Sequence, residues 1–206
     1  MKSRILVVAT VAVSLAYVAC QQRGDKNNRN STDSAGFDTM TTDTVTRDHT
    51  STDTSYNTMS GPMRDDAEFL AMAYGDGLFE IEAAKLAQKN ASSNEVKTLA
   101  KTIETDHMKA NDQLSALAGK SNVTLPVALT DNKQSTYNEL AAVTGKEFDK
   151  EYIKEMVKCH EDAIDAFEKK SKNANNAEIQ NFAVKTIPVL TAHKTKAEVI
   201  KEMNKM

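Results

Sequence analysis

The sequence predicts an all-α chain: an antiparallel four-helix bundle with an additional short helix, preceded by a disordered tether. Three observations carry that expectation. From Asp65 onward apolar residues recur at alternating steps of three and four, which places one greasy stripe on each helix. Signals for helix starts recur ahead of those stretches. No stretch alternates apolar and polar residues as a half-buried strand does. The 206 residues are 40% hydrophobic and 5% aromatic with no Trp, so Ala, Leu, Ile, Val and Met must build the core.

Residues 1–19 read as a signal peptide. Lys2 and Arg4 make a short basic start, and Ile5 to Ala19 is an almost unbroken apolar run. A membrane-spanning helix needs about 20 apolar residues, so this run is too short to span. It ends in Tyr17-Val18-Ala19-Cys20, which resembles a lipobox, the site at which bacterial lipoproteins are cleaved and acylated. Cys20 is therefore the expected lipidation site, and membrane lipid the expected partner, because each buried methylene of an acyl chain contributes about 0.8 kcal/mol. Gln21 is unlike the Asp that retains many lipoproteins at the inner membrane, which points to the outer membrane, facing the periplasm or the cell surface. Only Cys159 then remains, so no internal disulfide staples the fold.

Residues 20–64 follow as the tether. Ser, Thr, Asp and Asn dominate, as in Thr41-Thr42-Asp43-Thr44 and Ser51-Thr52-Asp53-Thr54, and such side chains offer little apolar surface to offset the entropy of ordering. A flexible coil of that length reaches on the order of 35 Å.

Residues 65–206 form the expected domain. Asp65-x-x-Glu68, Ser92-x-x-Glu95, Thr144-x-x-Glu147 and Asn175-x-x-Glu178 resemble capping boxes and mark helices over about 66–90, 93–119, 145–173 and 177–204. A short helix over about 131–143 follows the break at Leu125-Pro126, and Pro188 is expected to kink the last helix. Long helices joined by short turns predict antiparallel neighbours. An apolar-x-x-x-His-x-x-Ala frame shared by Ile103–Ala110 and Met156–Ala163 hints at a duplicated helix pair.

Ionisable residues on the greasy stripes carry the chemical interest. The second helix runs Val96, Ala100, Ile103, His107, Ala110, Leu114, Leu117. The fourth runs Ile153, Val157, His160, Ile164, Phe167, and the last runs Phe182, Val189, His193, Ala197, Ile200. Each histidine of the domain thus sits mid-seam. In the first helix Asp76 and Glu80 share the face of Phe69, Met72, Ala73 and Ala83. A fold about residues 91–92 brings Asp76 level with His107, and a fold about 175 brings His160 within about one turn of His193. The alignment of the two pairs is left open by the irregular 120–145 connection.

Such a layer is either a buried polar network that specifies helix pairing or a site for a transition metal, since imidazole and carboxylate suit Fe, Zn, Cu or Ni. The candidate ligands are Glu80, His107, His160 and His193, with Asp76 and Glu104 behind them. Glu104-x-x-His107 has the helical spacing of di-iron bundles, but Val157 and Leu190 stand where the matching carboxylates would be, so a standard di-iron centre lacks half its ligands. Cys159 reads as packing. A net charge of −3 without a basic block excludes a nucleic-acid binder.

The run Phe69-Leu-Ala-Met-Ala-Tyr-Gly75-Asp-Gly77-Leu-Phe-Glu80 through Ala87 resembles the first helix of the DUF4142 family, exported bacterial proteins with a ferritin-like helical bundle and no settled function. Asp106-His107-x-Lys109-Ala110-Asn111, Leu125-Pro126, Phe148-Asp149-x-x-Tyr152, Met156-Val157-x-x-His160 and Ile187-Pro188-x-Leu190-x-x-His193 extend the likeness over about 66–200. It implies the fold and export, places Glu80, His107, His160 and His193 on family motif positions, and supplies no reaction. Cys159 stands where the family more usually has Asp, and Asp76 where it has Gly. The first functional expectation is a membrane-anchored envelope lipoprotein with a non-enzymatic binding or stress-related role. The alternative is a metal-binding or redox protein, and self-association into a homo-oligomer is a third.

Overall fold

The computed structural model describes residues 60–205. The signal peptide, Cys20 and the tether up to residue 59 lie outside them. Among the described residues the chain forms five helices and no strand: α1 (Gly61–Asn90), α2 (Asn94–Ser121), α3 (Asp131–Ala141), α4 (Gly145–Asn173) and α5 (Ala177–Met203). None is long and apolar enough to cross a membrane.

The helix starts differ from the expected boxes in an instructive way. α1 begins at Gly61, taking in residues expected in the tether, with Pro62 in its first turn, where a missing N–H costs nothing. Asp65 is consequently inside the helix, and its carboxylate meets Lys170 at 2.5 Å. At α2 the cap is Ser93 rather than Ser92: its hydroxyl oxygen accepts from the N–H groups of Glu95 and Val96. At α5 it is Asn176, which accepts from Glu178 N–H. Thr144 stands at the N-cap of α4 without a side-chain bond. Ser92 and Asn175 do not cap because their side chains bond elsewhere: the Ser92 hydroxyl donates to the Asp149 carboxylate and the Asn175 amide to the Pro62 carbonyl oxygen. α2 ends on Asn122 in the left-handed region (φ 53°), which Asn tolerates better than most residues. Gly145 starts α4 at φ +68°, a conformation that glycine adopts without the strain a Cβ would bring. α5 runs unbroken through Pro188.

Helices α1 and α2 pack as one hairpin, α4 and α5 as another, and the hairpins meet through α1 against α4 and α2 against α5. Two contacts fix their direction. Asp66 near the start of α1 reaches the α4–α5 turn, where its Oδ2 accepts from the N–H groups of Asn175 and Asn176. Asp149 near the start of α4 reaches the α1–α2 turn, accepting from the N–H groups of Ser92 and Ser93 and from the Ser92 hydroxyl. All neighbouring helices are therefore antiparallel, and the 122–144 segment with α3 returns the chain from one end of the bundle to the other. Four antiparallel helices with one long crossover are the ferritin-like arrangement expected from the sequence. Since α1 corresponds to α4 and α2 to α5, His107 on α2 and His160 on α4 occupy non-equivalent places, and their shared frame is not a duplicated pair.

The apolar core is in two parts. One, nearer the α1–α2 turn, includes Phe79, Val96, Ile103, Phe148, Ile153, Met156 and Ile200. The other includes Leu70, Leu114, Phe167, Ile179, Phe182 and Leu190. In α2 the first stops at Ile103 and the second resumes at Leu114; in α5 the break falls between Leu190 and Ala197. The polar side chains occupy the gap. The α5 seam passes through Leu190 rather than Val189, which is 38% exposed.

Candidate metal centre

Each helix of the bundle sends one side chain into the gap: Glu80 from α1, His107 from α2, His160 from α4 and His193 from α5. Glu80, His160 and His193 are buried, and the side chain of His107 is 11% exposed. The three imidazoles form a near-equilateral triangle with ring centroids 5.1–5.6 Å apart. One ring nitrogen from each lies within 4.8 Å of the others. Glu80 Oε2 is 2.5 Å from His107 Nε2 and 3.8 Å from His160 Nε2.

Hydrogen placement follows from the acceptors around the rings. His160 Nδ1 lies 2.8 Å from the Met156 carbonyl oxygen, which can only accept, so Nδ1 carries the hydrogen and Nε2 is a bare lone pair. His193 Nε2 lies 2.9 Å from an Asp106 carboxylate oxygen, so the hydrogen sits there and Nδ1 is bare. Those two bare nitrogens face each other at 3.1 Å. Burial pushes the pKa of both rings down, and the neighbouring imidazoles push the same way, so neutral rings are favoured. Two lone pairs at that distance call for a cation between or beside them. Two nitrogens bound at 2.0–2.1 Å to one tetrahedral ion are about 3.3 Å apart, close to what is seen.

Glu80 and His107 pair by charge. Burial pushes the Glu80 carboxyl up, but His107, His160 and Lys133 outweigh it and hold it down at about 2. Burial pushes His107 down, but Glu80, Asp106 and Asp76 outweigh it and raise it. The contact is close yet misaligned, so neither Glu80 Oε2 nor His107 Nε2 has a hydrogen-bond partner. Among the described residues the other buried side-chain atoms in that condition are Asn111 Oδ1 and Tyr152 Oη. Asn111 is one turn beyond His107, and Glu80 lies close enough to Tyr152 to raise its hydroxyl pKa further, after burial. Asn111 Oδ1 and Tyr152 Oη, which have no charged partner in contact, each cost about 1–3 kcal/mol; Asn111 adjoins the histidine layer, and Tyr152 lies about two turns before His160 on α4.

Two candidates from the sequence are drawn elsewhere. Asp76, expected opposite His107, instead meets Lys133 of α3 at 3.2 Å. Burial raises its pKa and Lys133 offsets part of that. Glu104 accepts from Gln88 and Lys101, away from the rings. Cys159 lies between Glu155 and Lys133, and burial first, then the charge of Glu80, drives its thiol pKa well up, so it stays protonated. Asp106 was not foreseen as a partner of His193; it is 40% exposed and neighbours a seam residue without belonging to the seam. Lys133 was not foreseen either, because the crossover gave no register.

The donor set suits a transition metal: imidazole nitrogens and a carboxylate, with two rings held by a backbone carbonyl and a carboxylate behind them, as metal-bound histidines usually are.

Solved structures share this architecture. A DUF305 fragment from Deinococcus radiodurans has a TM-score of 0.60 at 12% identity, over 67% of this chain and 96% of its own. CopM in a Cu(I)-bound form has a TM-score of 0.57 at 20% identity, over 66% of this chain and 95% of its own. CopM in an Ag-bound form has a TM-score of 0.56 at 20% identity, with the same coverage. At these identities the likeness is one of fold. No curated protein matches the chain significantly. The family described as "Domain of unknown function (DUF4142)" matches residues 49–200. With that match spanning most of the sequence, the chain belongs to the DUF4142 family.

Proposed function

We propose that this protein binds a transition-metal ion, copper before the others, through His107, His160, His193 and Glu80. The observation that carries the reading is the pair of bare nitrogens, His160 Nε2 and His193 Nδ1, facing at 3.1 Å beside the Glu80–His107 pair. Copper is favoured on two grounds. Imidazole sites bind Cu(II) more tightly than the other divalent first-row metals. The bundle also resembles CopM, whose structures are described as Cu(I)-, Ag- and Cu(II)-bound. The competing reading, a polar network that only specifies helix pairing, requires its members to satisfy one another; with neutral rings in the tautomers given above, His160 Nε2 and His193 Nδ1 have no hydrogen to share between them.

The reading is completed by placing the protein in the cell envelope, tethered by lipid on Cys20, so that the bundle meets metal outside the cytoplasm. Here the support is the lipobox-like end of the apolar run. Replacing Cys20→Ala is expected to release the protein from the membrane fraction; retention there removes the anchor.

The metal test is elemental analysis after exposure to Cu(II) and desalting. One equivalent in the wild type, lost in both His107→Ala and His160→Ala, is the expected result. A wild type that stays metal-free and melts unchanged in Cu(II) ends the proposal.

A further inference from the structure

The donor atoms of the histidine layer are shut away from solvent. His160 is wholly buried, His193 and Glu80 are 3% and 2% exposed, and His107 Nε2 is buried at the inner edge of its ring. An ion therefore reaches them only when part of the fold moves aside. We infer that the moving part is α3, a strap over the α1–α4 seam latched by Lys133, and that it gates loading and release of the metal. The inference rests on the metal reading above and adds to it how the ion gets in and out.

The four long helices are poorly suited to opening. A short turn joins the helices of each hairpin, and Asp66 and Asp149 tie the two hairpins together at both ends. Between α2 and α5 the Asp106 carboxylate bridges directly to His193. The strap is held less firmly. Leu140 is the one buried residue of α3, with Leu129 and Tyr137 partly buried against the same core. Most of its side-chain hydrogen bonds stay within the helix or its cap. Elements with few buried contacts open locally while the rest of a fold stays intact.

Along the crossover Leu129, Lys133, Tyr137 and Leu140 turn inward at steps of three and four, and Lys133 is the one charge among them. Its ammonium is 3.2 Å from Asp76 on α1, 3.7 Å from the Cys159 sulfur on α4 and 4.8 Å from the centre of the Phe79 ring. Asp76 lies one turn before Glu80, Phe79 directly precedes Glu80, and Cys159 directly precedes His160. Lys133 thus closes the α1–α4 seam at the level of the metal donors. Beyond the other end of α3 the chain stays attached, since Asn90 Nδ2 donates to the Val143 carbonyl oxygen at 3.2 Å. Gly145 follows at φ +68°, a small residue of the kind that absorbs a hinge rotation. A polar latch at one end and a tether at the other let the strap swing without unfolding the bundle.

The experiment uses the full chain. Loading with Cu(II) is followed by stopped flow, and release is followed after an excess of chelator is added. In the wild type the loading rate is expected to level off as copper is raised, because opening then sets the pace. In Lys133→Ala both loading and release should quicken, by about fivefold. Leu140→Ala, which loosens the strap and leaves every charge in place, should quicken both by about tenfold or more. Faster release is the telling sign, because loss of a positive charge near the site would by itself slow the departure of a cation. In metal-free protein the amides of α3 should exchange hydrogen faster than those of α1 and α4. Unchanged or slower release in Lys133→Ala overturns the latch. Wild-type loading that climbs in proportion to copper throughout, or α3 amides as protected as those of α1, overturns the gate while sparing metal binding. Absence of bound copper in the wild type defeats both readings together.

Discussion

The ends of the bundle and its middle use the same materials, buried carboxylates and nitrogen donors, to opposite effect. At one end Asp66 takes the Lys170 ammonium and the N–H groups of Asn175 and Asn176. At the other Asp149 takes two N–H groups and a hydroxyl from Ser92 and Ser93. Every strong acceptor there is matched, and each carboxylate ties the start of one hairpin to the turn of the other. In the middle layer Glu80 and His107 meet as a close but misaligned ion pair, and Asn111, one turn away, leaves its Oδ1 unmatched. Complete partnering marks a structural staple. Incomplete partnering around convergent donors marks a place where something else binds.

The largest effect that separates the two regions should come from the ends. Asp149→Ala leaves two backbone N–H groups and a hydroxyl without their charged acceptor, and hydrogen bonds to charged groups contribute about 1.5–3 kcal/mol each. A loss of about 3 kcal/mol or more in urea unfolding is expected, with metal stoichiometry unchanged in whatever fraction folds. A loss under about 1 kcal/mol would show that the carboxylate is no staple. Next comes the gain from metal. Copper at a hundredfold over its dissociation constant should add about 2.7 kcal/mol, or about 5–10 °C in melting temperature for a domain of this size. His160→Ala should melt at the same temperature with and without copper.

How much of this contrast could be read from the sequence depends on the range of the signal. The helices and the inward turn of His107, His160 and His193 are local consequences of spacing, and they hold. The partner of His107 is not local. A turn placed at 91–92 puts Asp76 opposite it, but Ser92 and Ser93 are both outside the helices and α2 starts only at Asn94. Moving the fold point by about two residues moves the partner by about four, one helical turn, and Glu80 arrives instead. Asp106 and Lys133 were out of reach for a related reason. One pairs across the α2–α5 contact between hairpins, and the other comes from the crossover helix, where no periodicity sets alignment. The capping serine and asparagine are displaced by one position because Ser92 and Asn175 resemble caps equally well until the Asp149 carboxylate takes the Ser92 hydroxyl and the Pro62 carbonyl takes the Asn175 amide.

A smaller effect tests the charge of the middle layer in metal-free protein. Glu80 is lowered from 4.5 to about 2, so its contribution is present above its unfolded value and is lost as pH falls through the folded one. His107 is raised above 6.5, so its contribution is complete below 6.5 and lost as pH rises through its folded value. The pair therefore stabilises most between about 4.5 and 6.5. Glu80→Gln keeps the shape and removes the charge. It should flatten the pH dependence of unfolding on both sides of that window, and an unaltered profile would show that the charges do not interact. With copper present the same variant should bind about tenfold more weakly.

The finest discrimination comes from Asp106→Asn. Asp106 is 40% exposed, so its pairing with His193 contributes little to folding, within about 1 kcal/mol. Its carboxylate nonetheless fixes which nitrogen of His193 carries the hydrogen and makes the other a better donor. An amide in its place has no charge and can present its NH₂ group to the ring, which would turn the tautomer and occupy Nδ1 with hydrogen. Copper affinity, measured by competition with a chromophoric chelator, should fall about ten- to a hundredfold while the metal-free melt barely moves. Asp149→Asn should show the reverse, a lowered melt and an intact affinity. A pair of variants that moved both properties together would mean that ends and middle are one structural network, and the distinction drawn from their partnering would fail.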